Sequence, residues 1–187
     1  MNKIKNISNP LERKTLTTGN KIFAPIGVSY IKPRDKVLLE LCCIVIKDLE
    51  DNGEEGVIHT EKFWLTERAF WRLANWALSM RVNYDFDCEN RQSLEKIFST
   101  GTCFQGYVQV KEEDGYKKSE IKSFYVPTSL IKNGKLELSD DMQSTIERGE
   151  EIFPKIIKNR KERGVKFVNM APVAVPSSFD YDDEVPF

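Results

Sequence analysis

Thr102-Cys103-Phe104-Gln105-Gly106-Tyr107-Val108-Gln109-Val110-Lys111 alternates without a slip. Phe104, Gly106, Val108 and Val110 point one way, and Gln105, Tyr107, Gln109 and Lys111 the other. A two-residue period of this kind belongs to a half-buried strand. Glu112-Glu113-Asp114-Gly115 supplies turn residues, and Tyr116 to Val126 returns as the hairpin partner, ended by Pro127. Upstream, Lys36 to Lys47 is a second strong strand signal, apolar on both faces in its second half. Asp51-Asn52-Gly53 offers residues that tolerate positive φ, and Gly56 to Leu65 returns. There Val57, His59, Glu61, Phe63 and Leu65 share one face, and Ile58, Thr60, Lys62 and Trp64 the other. Ile22 to Ile31 reads as the first strand. Pro25 and Gly27 interrupt it, which calls for an edge position or a bulge.

Two helical signals separate the third strand from the fourth. Thr66 is placed to cap a helix from Glu67 to about Met80, with Phe70, Leu73, Ala74, Ala77 and Leu78 as its apolar stripe. Trp71 and Trp76 fall off that stripe and need a second surface. A short helix over Gln92 to Phe98 follows an acidic loop. After the hairpin, Ser139 has the form of an N-cap, with Asp140 and Asp141 favoured in the first turn. That helix runs to about Arg163 and Gly164 is placed to end it. Pro154 either kinks it or opens a second helix in its first turn. Residues 1–20 read as a loosely ordered lead-in, and 165–187, with three of the eight prolines and no periodicity, as a flexible linker and tail. The chain carries no internal repeat.

Composition narrows the classes. A 187-residue chain with 40% hydrophobic residues fits one domain and a tail. No apolar run approaches the roughly 20 residues that span a bilayer. The polar start Met1-Asn2-Lys3-Ile4-Lys5-Asn6 lacks a signal-peptide core, so a cytoplasmic protein without membrane partners is expected. The net charge of -1 conceals an asymmetry. Four of the 29 acids lie in the last eight residues, leaving 25 acids against 28 bases in the body. Cys42, Cys43, Cys88 and Cys103 form no Cys-x-x-Cys pair, and His59 is the one histidine, so no metal site is expected and buried thiols are. Asp85-Phe86-Asp87 is assigned to a solvated loop. No Gly-rich phosphate loop is present and a triad would rest on His59 alone, so neither an enzyme nor a cofactor is expected.

The chain closes on Phe179-Asp180-Tyr181-Asp182-Asp183-Glu184-Val185-Pro186-Phe187. The carboxylates cannot enter a core, yet the run ends in an apolar and an aromatic residue. A partner with an apolar pocket rimmed by basic side chains would take such an end. Asp182-Asp183-Glu184-Val185-Pro186-Phe187 resembles the tip of bacterial and phage single-stranded-DNA-binding proteins, which closes in Asp-Asp-x-x-Pro-Phe. The element order resembles the same family: five strands with a helix between the third and fourth is the order of the OB-fold. The resemblance covers residues 20–127 as pattern and 180–187 as motif. It implies a mainly β (α+β) protein with an OB-fold barrel over 21–127 and a docking tail over 165–187, the helical extension over 128–164 being read from its own residues. It also implies a non-catalytic coat on single-stranded DNA, without marked sequence preference. In that role the tail recruits replication, recombination or repair proteins, in the host cytoplasm if the source is a phage. The extension has no counterpart in the usual bacterial member. The tetramer is therefore not carried over, and a homo-oligomer stays open. The alternative class is an adaptor whose barrel binds protein instead of DNA.

Single strands are held by rings that stack on bases and by cations that track phosphates. Lys62 and Trp64 share a strand face, and so do Tyr107 and Lys111. In the final hairpin Lys117 and Tyr125 lie on one side, and Lys118, Lys122 and Phe124 on the other, the register deciding which is outward. Phe63, Phe104 and Phe124 are expected in the core, and Trp64 and Tyr107 as stacking rings. A second basic patch, Lys155, Lys158, Arg160, Lys161, Arg163 and Lys166, reads as a solvated helix face, an auxiliary DNA contact or a dock for the acidic tail.

Overall fold

A computed structural model of the chain describes residues 14–82, 91–98 and 103–168. Five strands form one antiparallel sheet: β1 (Gly19–Ile31), β2 (Leu38–Asp48), β3 (Ile58–Trp64), β4 (Phe104–Glu113) and β5 (Tyr116–Tyr125), ordered β3-β2-β1-β4-β5. Helices α1 (Phe70–Ser79) and α2 (Arg91–Phe98) fall between β3 and β4. A two-stranded hairpin, β6 (Ile131–Lys132) and β7 (Lys135–Leu136), precedes α3 (Asp140–Glu162). Asn133 and Gly134 both take positive φ at its turn, the conformation a two-residue hairpin loop requires. Asp114 and Gly115 do the same between β4 and β5.

The centre of the sheet is buried on both faces. On the inner face Phe23, Leu39, Leu41, Phe63, Phe104, Val108 and Ile121 pack against Leu73 and Trp76 of α1, against Met80 just after it and against Ile97 of α2. Leu16, just before β1, is buried in the same core. On the outer face Ile22, Ala24, Ile26, Cys42, Ile44 and Ile46 are covered by Leu130, the β6–β7 hairpin and the apolar side of α3. Both faces of β2 are therefore dry, which is why its sequence is a nearly continuous apolar run. The helix approaches the sheet closely. A Cβ at Gly149 would lie 2.7 Å from Cγ2 of Ile26, and one at Gly27 would lie 2.3 Å from Cε1 of Phe153.

β1 lies at the centre of the sheet and carries two register shifts, at Ile22/Phe23 and at Pro25/Gly27, as its Pro and Gly demand. Its ladder to β4 is short, spanning Gly19–Phe23 only. β3 and β5 are the two outer strands, and no backbone ladder joins them. The closed barrel expected from the element order is thus not formed. Side chains, described below, bridge the two edges instead.

The stripe on α1 is also corrected. Trp76 is fully buried and Leu78 is 62% exposed. Leu73 and Ala77 face the core as expected, and Trp76 and Met80 join them at spacing i, i+3, i+4, i+7 in place of Leu78. Thr66 offers no side-chain cap. Its carbonyl accepts the N–H groups of Ala69 and Phe70 through a 3-10 turn over Glu67–Ala69 that leads into α1. Ser139 does cap α3, its hydroxyl accepting the Met142 N–H at 3.2 Å. α3 runs through Pro154 as one element and ends at Gly164, φ +90°. Beyond it, Phe167 bridges to Ile31 and the Val168 N–H donates to the Tyr30 carbonyl. Among the described residues no helix is long and apolar enough to cross a membrane.

Candidate nucleic-acid interface

Alternation along β3 decides what faces outward. His59, Glu61 and Phe63 turn into the core, and Ile58, Thr60, Lys62 and Trp64 turn away from it. α3 covers β1 and β2 but leaves this outer face of β3 open. A groove of about 980 Å³ results, with β3 as its floor. Lys117 and Lys118 at the start of β5 form one side, and Arg160 and Arg163 at the end of α3 form the other. Trp64 is 42% exposed, enough to offer a ring face to a ligand. Arg160 is fixed in the groove wall. It donates to Oε1 of the buried Glu40 at 2.9 Å and lies over the Phe167 ring at 5.1 Å.

Among the described residues the carboxylates that line the groove, Glu61 and Glu120, are both engaged. Glu120 pairs with Lys111 at 3.2 Å and Glu61 with Arg72. Among the described residues Lys62, Lys117, Lys118 and Arg163 have no ion-pair partner. The groove therefore presents uncompensated cations beside one exposed ring. That suits a polyanion with planar groups.

The sequence-derived site residues divide. Lys62, Trp64, Lys117 and Lys118 meet in this groove. Lys122 and Tyr125 line a second hollow, of about 540 Å³, between α1 and the end of β5. Tyr107 and Lys111 lie on the outer face of β4, Lys111 already paired with Glu120. The grouping expected within β5 does not hold. Tyr107 pairs with Ser123 and Val108 with Ile121, so Lys122 is an inserted bulge residue. The bulge reverses the alternation. Lys118, opposite Lys111, and Tyr125, opposite Gln105, share the outer face, while Ile121 and Phe124 both turn inward. Phe63 and Phe104 are buried as expected, and Phe124 packs on both at 5.8 and 5.9 Å between ring centroids.

The gap between β3 and β5 is closed by charge. Oε2 of Glu61 accepts the Ile121 N–H of β5 at 3.1 Å and meets Nε2 of His59 at 2.7 Å. Oε1 pairs with Arg72 of α1. Arg72 donates to the Lys62 carbonyl on one edge and to the Ile121 carbonyl on the other, at 2.7 and 2.8 Å. The guanidinium also lies over the rings of Phe63 and Phe124. Burial pushes the Glu61 carboxyl up, but the hydrogen bond and charge of His59 and the charge of Arg72 outweigh it, so the group sits below its ordinary value. A carboxylate held in its charged form and fully engaged acts as a fastener. Sequence reasoning passed over Glu61 and Arg72. The available signal was a carboxylate on the same strand face as Phe63, which needs a buried partner.

Cys42, Cys43 and Cys103 are buried free thiols, as expected, and Cys88 lies outside the described residues. Burial pushes Cys42 and Cys103 up to about 12. Among the described residues no three His, Cys, Asp or Glu side chains cluster as a metal site would. The proposed docking residues Asp182, Asp183, Glu184, Val185, Pro186 and Phe187, and the Asp85-Phe86-Asp87 loop, lie outside the described residues. Comparison with known protein families and with curated proteins finds no match to this chain.

Proposed function

We propose that this protein binds single-stranded DNA through the groove over β3, and that its acidic tail recruits other proteins to the coated strand. One observation carries the reading: Lys62, Trp64, Lys117 and Lys118, distant in sequence, line a single groove with Arg160 and Arg163. Spaced cations without local counter-charge attract a phosphate backbone. An exposed indole stacks on any base, which makes binding tolerant of sequence. The fold is read as an OB-type barrel opened at one seam. Bringing β3 to β5 in the order β3-β2-β1-β4-β5 gives the ring of that fold, whose second and third strands face the ligand. Lys62 and Trp64 stand on the third strand. α3 takes the rest of that surface and contributes a basic wall, so the extension belongs to the binding site in this reading. The Asp-Asp-x-x-Pro-Phe ending supports recruitment of replication, recombination or repair proteins.

The test is a tryptophan-fluorescence titration with oligo-dT and with duplex of equal length, at two salt concentrations. Oligo-dT binds far more tightly, and the log–log salt slope is about -0.7 per phosphate neutralised. No binding at low salt, or equal competition by duplex, overturns the reading in favour of the protein-binding adaptor.

A further inference from the structure

On the other side of Arg72 from the groove lies the second hollow, of about 540 Å³. Trp71, Asn75 and Leu78 form one wall, spaced i, i+4, i+7 on the face of α1 turned away from the core. Tyr125 and Lys122 come from β5. Trp71 is 58% exposed and Tyr125 50%. Two large rings left in solvent on adjoining elements form an apolar patch that a soluble surface does not need.

We infer that this hollow is a second base-stacking subsite, which takes the single strand as it leaves the groove and passes over α1. The inference rests on the proposed function. Three features favour a nucleic-acid strand as the occupant. The hollow adjoins the groove, since Arg72 lines both. Among the described residues its lining contains no carboxylate, and Lys122 stands there beside Arg72, whose own charge is paired with Glu61, so the described charge favours phosphate. Two exposed rings, Trp71 and Tyr125, line the hollow together with Asn75. The Asn75 amide offers both a donor and an acceptor to a base edge, which a purely apolar protein dock would not supply. The Lys122 bulge matters here: the inserted residue lines this hollow.

The experiment measures affinity for oligo-dT of graded length with the intact wild-type chain, Trp71→Ala and Tyr125→Ala. The shortest oligomers that bind fill the groove alone and bind all three proteins equally. Longer ones gain affinity in the wild type, and each variant loses that gain, by roughly 5- to 150-fold for a stacked ring. In parallel, a Trp64→Phe protein leaves Trp71 as the exposed indole. Long oligo-dT quenches its fluorescence and short oligo-dT does not, a readout that does not depend on Trp71→Ala folding. Wild-type affinity that grows with length and is untouched in both variants overturns the subsite while leaving the groove intact. If Trp71→Ala also changes sedimentation of the free protein, the hollow belongs to a protein contact. Failure of the wild type to bind any oligomer removes the groove and this subsite together.

Discussion

Replacing Glu61 by Gln tests whether side chains hold β3 to β5. The substitution keeps the shape and removes the charge. Glu61 is buried, and its two oxygens serve Ile121, His59 and Arg72. A glutamine retains one acceptor oxygen. Its NH2 turns a donor toward either the Arg72 guanidinium or the Ile121 amide, and the substitution leaves a mostly buried guanidinium without its counter-charge. Breaking a buried pair from one side costs about 3–5 kcal/mol. Arg72 is 19% exposed, which lets water recover part of this. The lower end, about 3 kcal/mol, is expected, equivalent to a fall in Tm of roughly 6–12 °C for a chain of this size. Acid should erase the difference. The Glu61 carboxyl is depressed in the fold, so its contribution is complete above the unfolded value of about 4.3 and is lost as pH falls through the folded value. Thermal unfolding followed by circular dichroism, from pH 7 down to pH 3, measures both effects. A gap at pH 7 below about 1 kcal/mol, or a gap that persists unchanged at pH 3, refutes the fastener.

Trp64→Ala should weaken oligo-dT binding by roughly 1–3 kcal/mol with no loss of the melting transition, since the ring stands on the outer face; a lost transition in calorimetry would place it in the core instead. Gly149→Leu should destabilise by about 1–3 kcal/mol despite the better helix propensity of Leu, because the new side chain meets Ile26 and Ile44; urea unfolding measures it. Cys42 and Cys43, buried with raised thiol pKa, should resist iodoacetamide at pH 8 in the native protein and react on unfolding, as mass spectrometry will show. Removing Phe187 should abolish capture of tail-binding proteins in a pull-down while oligo-dT affinity stays nearly constant.

Much of the sheet is legible in the sequence, because each strand carries its own evidence. His59, Glu61 and Phe63 alternate with Thr60, Lys62 and Trp64, and the structure keeps that division. The β4–β5 turn is announced by Asp114-Gly115. What is not legible depends on a register or on a distant partner. A single inserted residue, Lys122, moves Lys118 and Tyr125 onto one face, and no local pattern reveals an insertion. On α1 two apolar stripes are equally periodic. Trp76 was won by the core only because Phe63 and Phe104 lie within ring contact of it. The groove itself depends on where α3 lands, and that is set by two glycines 122 positions apart, Gly27 and Gly149, each of which leaves room for a side chain from the opposite element.

The short β1–β4 ladder has a mechanical meaning. β4 and β5 are joined to one another along most of their length, but their backbone ladder to the rest of the sheet is the five pairs of Gly19–Phe23. Side chains supply the remaining anchorage: Ser119 bonds Leu16, Thr18 accepts from the Val110 N–H, and Glu61 and Arg72 grip Ile121. Phe104, Val108 and Ile121 also stand in one core with Phe23 and Phe63, so the hairpin cannot shift without disturbing that layer. Lys117 and Lys118 ride on the hairpin, while Lys62 and Trp64 belong to β3. The spacing between the two sides of the groove is therefore set by core packing, and a ligand entering it does not have to order that spacing.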